Sequence, residues 1–152
     1  MSEVLIREQI KTILSAVADI GVVHDYERWA SDWPAYLELF SIKTLAGTYI
    51  NGWEIMRKKT PSRTGSSTHD LRTHTFLIRG IYGLKDSAAS EITFQALIEA
   101  ICSAFRSNYQ LNSTADNTEP VQVDLVENRV FGNVLCHYCE LSLPADEYEN
   151  WS

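Results

Sequence analysis

The run His74-Thr-Phe-Leu-Ile-Arg-Gly-Ile-Tyr-Gly83 restricts what this chain can fold into more than any other stretch. It reads as a strand with Phe76, Ile78 and Tyr82 on one face and Leu77 and Ile81 on the other. A strand that is apolar on both faces needs cover on both sides. The remaining sequence offers few helices to provide it. The expectation is that a second subunit supplies the missing cover.

Upstream, Ile6, Ile10, Ile13, Val17 and Ile20 recur at spacings of four and three, one stripe of a helix over residues 3–19. Gly21 stands where a helix commonly ends. The segment Val22-Val-His-Asp-Tyr-Glu-Arg-Trp29 crosses to a short second helix. Asp32 caps that helix, Pro34 sits just inside it, and Leu37 and Phe40 face inward. Strand-like runs follow over residues 49–59, around Trp53 and Ile55, and over residues 71–83. Between them lies Thr60-Pro-Ser-Arg-Thr-Gly-Ser-Ser-Thr68, whose turn formers predict a mobile, protruding connection. A long helix opens at Asp86-Ser87 and runs to about residue 107, with Phe94, Leu97, Ile98, Ile101 and Phe105 on one face and Arg106 near its C-terminal end. Residues 112–120 read as a polar loop. The order of elements predicts a single α+β domain over residues 1–152.

Gly132-Asn133 between two β-rich runs is a two-residue hairpin signal and sets a register, with Phe131 facing Val134 and Val130 facing Leu135. Carried outward, one face holds Val130, Leu135, Val126, Cys139, Leu141 and Leu143, with Asn128 and His137 as a polar pair among them. The other holds Phe131, Val134, Arg129, Cys136, Leu125, Tyr138 and Val123. The first reads as a core surface. The second is too apolar for water, which makes Phe131, Val134 and Tyr138 candidates for a subunit interface.

At 45% apolar and 22% charged residues the composition is that of an ordinary globular domain. No stretch approaches the roughly 18 consecutive apolar residues of a membrane span, and Met1-Ser2-Glu3 does not open a secretory signal. Three cysteines without scaffold spacing fit a reducing cytoplasm. The net charge of −7 excludes general nucleic-acid affinity, but the charge is uneven. Arg57, Lys58, Lys59, Arg63 and Arg72 stand against Asp70 alone, whereas Glu140, Asp146, Glu147 and Glu149 have no basic neighbour in the C-terminal run. Such asymmetry suits a contact between unlike surfaces of two copies.

Nothing in the sequence announces chemistry. Cys136-His-Tyr-Cys139 is a C-x-x-C, but in a strand residues three apart point to opposite faces, so the thiols cannot share a metal. His69 and His74, five apart, share neither a helical nor a strand face. His24-Asp25 resembles a base and its orienter, but no nucleophile stands beside it. Gly80-Ile-Tyr-Gly83 lacks phosphate-loop spacing, so Gly80 marks a bulge or a close packing contact. Trp29, Trp33 and Trp53 read as core or interface packing. No catalytic residue, cofactor or metal is expected.

The order of these elements carries a resemblance. An amphipathic first helix, Val22-Val-His-Asp-Tyr-Glu-Arg-Trp29, Gly52-Trp-Glu-Ile-Met-Arg57, the run from His74 to Asp86, a helix with Phe94 and Leu97, and a closing Val134-Leu-Cys-His-Tyr-Cys-Glu-Leu-Ser-Leu143 follow one another. Over most of its length the chain resembles the small tail-completion proteins of long-tailed bacteriophages, in particular the tail terminators, by pattern and order rather than by a catalytic signature. The resemblance implies a mixed, mostly antiparallel β-sheet with two main α-helices packed on one face, plus a short helix. It implies a non-enzymatic virion protein of the tail or neck, assembled in the host bacterial cytoplasm. Its copies would form a hexameric ring that caps the tail tube, stops tube polymerisation and joins the head connector. If DNA passes through that ring, the basic loop with Arg57, Lys58, Lys59 and Arg63 is the segment expected to face it. The competing readings are a head-side stopper or adaptor of the neck and a small cytoplasmic enzyme or ligand-binding module.

Overall fold

The structure, a computed structural model, describes residues 3–150. Helix α1 spans Glu3–Ser15, β1 Val22–His24, α2 Trp33–Leu39, β2 Ser41–Thr44, β3 Gly47–Lys59, β4 Ser62–Thr64, β5 His69–Gly83, α3 Ser90–Arg106, β6 Asn117–Thr118, β7 Gln122–Phe131 and β8 Val134–Asn150. All eight strands join one sheet, with β5 between β3 and β8. Every pairing is antiparallel except β1 with β3. The fold is α+β, with a mixed, mostly antiparallel sheet.

Alternation along β3, β5 and β8 builds the inner face. Trp53 and Ile55, Phe76 and Ile78, and Cys139, Leu141, Leu143 and Ala145 form one cluster with the apolar stripes of α1 and α3. Each large side chain taken out of water there contributes roughly 1.5–3 kcal/mol. Burial of that order holds both helices on this face, since packing of an amphipathic face supplies most of a helix's stability in a protein. Trp53 is sealed in, its ring stacked on Phe94 at 5.9 Å and its indole N–H donating to Asn51 Oδ1 (3.0 Å). Gly80 lies across from Trp53 in the ladder, and a Cβ there would fall 2.3 Å from the indole ring. The register runs unbroken through Gly80 on both sides, so this glycine is a packing contact and not a bulge.

Local boundaries differ from the sequence expectation in four places. Helix α1 stops at Ser15, and Gly21 (φ +77°) does not cap it. Gly21 instead lets the chain pass so close to Asn51 that a Cβ would sit 2.1 Å from its carbonyl oxygen. Helix α3 begins at Ser90, because Ala89 adopts a left-handed conformation (φ 53°) that separates it from a 3-10 turn at Asp86–Ala88. The connection at residues 60–68 is not a free loop. Pro61 interrupts the ladder, but β4 resumes pairing with β5, Ser62 opposite Arg72 and Thr64 opposite Asp70. The polar loop at residues 112–120 contains β6, which pairs with β8.

The hairpin register is as expected from Phe131 opposite Val134 back to Leu125 opposite Glu140. A bulge at Asp124 then moves Val123 opposite Leu141. Val130 and Leu135, expected in the core, are exposed at the hairpin end.

Candidate functional site

A parallel pair such as β1 and β3 requires a crossover connection. Here the crossover carries α2 over the outer face of the sheet. Asp32 Oδ1 accepts the Ala35 N–H (2.8 Å) and Pro34 occupies the first turn, which starts the helix cleanly. Tyr36, Leu37 and Phe40 then pack on Ile81, Phe131, Cys136 and Tyr138 as a second core. Its rings interlock. Tyr36 stacks on Phe131 at 6.1 Å and Trp33 meets Phe131 edge-on at 5.6 Å. Phe40 can approach because Gly52 lies beneath it, where a Cβ would fall 2.4 Å from Phe40 Cβ.

This arrangement corrects the interface assignment. Phe131 and Tyr138 are 5% and 2% exposed within the single chain, covered by its own α2. Only Val134, at 41%, remains open. No second subunit is needed over the first two. What α2 leaves is a groove of about 560 Å³, bordered by Trp29, Trp33, Pro34, Phe131 and Val134, with Trp29 65% exposed. Val134 also borders a cleft of about 590 Å³ between the β2–β3 and β7–β8 hairpins, with Tyr49, Tyr82 and Leu135.

Beyond the aromatic cluster the outer face turns polar. Glu54 is fully buried and is held by Arg79 through Nε (2.7 Å) and Nη2, while its second oxygen accepts the Arg28 N–H (2.9 Å). Arg79 lies over Trp29 and Arg129 over Tyr138, at 5.9 and 3.9 Å from the ring centres. Burial pushes the Tyr36 phenol up to about 12 and raises that of Tyr138, whose hydroxyl donates to Glu140 (2.6 Å). Both phenols stay protonated.

The charged segments are rearranged relative to the sequence expectation. Arg57, Lys58 and Lys59 end β3 and Arg63 lies on β4, all exposed, and none forms an ion pair among the described residues. They occupy a sheet edge, not a loop. Arg72 finds its partner within the chain, since β5 and β8 are neighbours: it pairs with Glu149 (3.2 Å), and next to it Thr73 donates to Asp146 (2.7 Å).

The cysteines and histidines singled out in the sequence each pack or hydrogen-bond within the fold. Cys136 and Cys139 lie in opposite cores, as their strand spacing predicts, and burial raises both thiols, Cys136 to about 11. His24 Nε2 donates to the Leu39 carbonyl (2.6 Å) and its Nδ1 accepts from Arg28 (3.1 Å). His74 is buried against Glu147 (3.1 Å) and Thr60 (3.1 Å), whereas His69 meets Ser66 (2.8 Å), so the two histidines do not converge. No group of side chains suited to a metal occurs among the described residues.

The pair Asn128 and His137 is present, and the structure adds a third member that its distance in sequence concealed. His137 Nδ1 donates to Asn128 Oδ1 (2.9 Å), and Nε2 meets the Ser90 hydroxyl (2.8 Å), which also accepts the Lys85 N–H (2.8 Å). Ser90 and His137 are both buried, and both ring nitrogens are hydrogen-bonded. The relay pins the start of α3 to β8. Burial lowers the His137 pKa despite the nearby Glu91 carboxylate. The unfolded chain therefore takes up a proton near pH 6.5 that the folded chain refuses, and stability falls as pH drops through that value. Thermal unfolding at pH 7.5 and 5.5 should show this loss, and His137→Gln should show less of it. Equal pH dependence in both proteins would contradict the assignment.

The chain matches no protein-family model and no curated protein. No helix among the described residues is long and apolar enough to cross a membrane.

Proposed function

We propose that this chain is a structural protein of a phage or prophage tail, a tail terminator that caps the tail tube as a homo-oligomeric ring. The observation that carries the reading is the architecture: α1 and α3 on one face of a mixed sheet, with elements in the order of the tail-terminator resemblance. The exposed apolar end around Val134, Leu135, Tyr49 and Trp33 supports it, because a capping ring needs surfaces for the tube protein below and the connector above. In this role the chain is not an enzyme and takes no cofactor. Six copies would close the ring in the bacterial cytoplasm, halt tube growth, and remain in the virion neck where DNA passes.

Electron microscopy of a phage lacking the gene tests this. Tail tubes longer than normal are the expected result. Tails of normal length, or capsids without tails as the sole product, would overturn it, and binding to head connectors but never to tubes would favour a neck stopper.

A further inference from the structure

The sheet has two open edges of opposite charge that overlap in height along the strands. On one side, Arg57, Lys58 and Lys59 close β3 and Arg63 lies on β4. On the other, Asp116 and Glu119 flank β6 and Asp124 forms the bulge of β7. The ladder aligns Glu119 and Asp116 with the cations, while Asp124 lies level with Ile55 and Glu54, two to three residues along β3 from Arg57. Lys59 pairs with Thr75, Thr75 with Pro144, and the Pro144 carbonyl accepts the Glu119 N–H (3.1 Å). Arg63 pairs with Leu71, Leu71 with Tyr148, and the Tyr148 N–H donates to Asp116 Oδ2 (2.7 Å). One edge thus offers four exposed cations, and the other offers Glu119 and Asp124, exposed and without ion pairs among the described residues.

Both edges are also irregular. A register shift between Arg57 and Lys59 and Pro61 interrupt one, and the Asp124 bulge interrupts the other. Bulges, proline and charge stop an edge from pairing with its own kind. Two basic edges repel each other, as do two acidic ones, while a basic edge attracts an acidic edge at its own level. Such a contact joins two different surfaces of each copy, and it closes into a ring when the rotation allows.

The geometry points to a head-to-tail contact in which the β3–β4 edge of one copy, through Arg57, Lys58, Lys59 and Arg63, lies against the Glu119 and Asp124 edge of a second copy. It rests on the ring reading above and names the surfaces that make the ring. It also gives the basic residues a neighbouring subunit as their partner, in place of DNA in the lumen. Side chains carry the contact, so it weakens as salt shortens the Debye length from about 8 Å at 0.15 M toward about 3 Å at 1 M.

Light scattering coupled to size exclusion reads the outcome. The wild-type protein should form a ring at low salt that loosens at high salt. The variant K58E/K59E/R63E and the variant E119K/D124K should each associate on the order of 100-fold more weakly, because like charges then face each other. All five positions are exposed, and an unchanged thermal melt shows that folding is intact. Mixed in equal amounts, the two variants should rebuild a ring of alternating copies, since each then presents two edges complementary to the other. If each variant alone keeps the wild-type ring, this inference is wrong and the ring reading stands. Intact rings that lose only DNA transit overturn it in favour of a lumen role. A wild-type protein that is monomeric at every concentration overturns the ring reading together with this contact.

Discussion

Replacing Phe131 by alanine should lower the unfolding free energy by about 3–5 kcal/mol, the range for truncating a buried aromatic. Phe131 is the ring that Tyr36 stacks on, Trp33 meets edge-on and Tyr138 approaches at 6.2 Å, so its loss leaves α2 without an anchor. A helix of seven residues has no independent stability, and its hold on the sheet depends on such contacts. The urea midpoint should fall, and the near-UV signal of the tryptophans beside α2 should collapse with it. The shift should not depend on protein concentration, because the cover belongs to the same chain. Val134→Ala, at the open rim, should cost less than about 0.5 kcal/mol. A Phe131→Ala protein with wild-type stability as a monomer, weakened only in self-association, would show that a second subunit and not α2 covers this face.

Gly80 makes the second strong prediction. A Cβ at this position meets three carbons of the Trp53 ring within 2.6 Å, and that ring cannot retreat. It is fully buried, stacked on Phe94 and tied through its N–H to Asn51. Overpacking of a well-filled core typically costs 1–3 kcal/mol, and more where nothing can yield. Gly80→Ala should lose about 3 kcal/mol, and Gly80→Val should leave no cooperatively folding protein in denaturant titration. Shrinking the neighbour offers the control: Trp53→Leu in the Gly80→Ala background should be more stable than Trp53→Leu alone would suggest by simple addition. A Gly80→Ala protein as stable as the wild type would show that the core gives way there.

Several features were legible because they depend on near neighbours. The Gly132-Asn133 turn set the pairing of Phe131 with Val134 out to Leu125 with Glu140, and strand alternation sent Cys136 and Cys139 to opposite faces. The stripe of Phe94, Leu97, Ile98, Ile101 and Phe105 named the buried face of α3. Helix ends were less legible. Ile20 continues the stripe of α1 and is buried, yet the chain leaves the helix at Ser15, because Gly21 has to pass close to Asn51 on β3. The strand β4 lay hidden among turn formers, since its side chains are polar and exposed and only pairing with β5 makes it a strand.

The candidate surface shows the same division. Strand periodicity determined from sequence that β5 and β8 carry apolar groups on both faces, because side-chain direction in a strand alternates whatever lies around it. It did not determine what covers the second face. That was decided by the path of the chain from β1 to β3, a parallel pair whose crossover lays α2 on Phe131 and Tyr138. Likewise, composition located the basic and acidic residues along the chain. Only the strand order β3, β5, β8, β6 placed Lys59 and Glu119 at one height on opposite edges, because lateral order in a sheet is set by pairing between segments far apart in sequence.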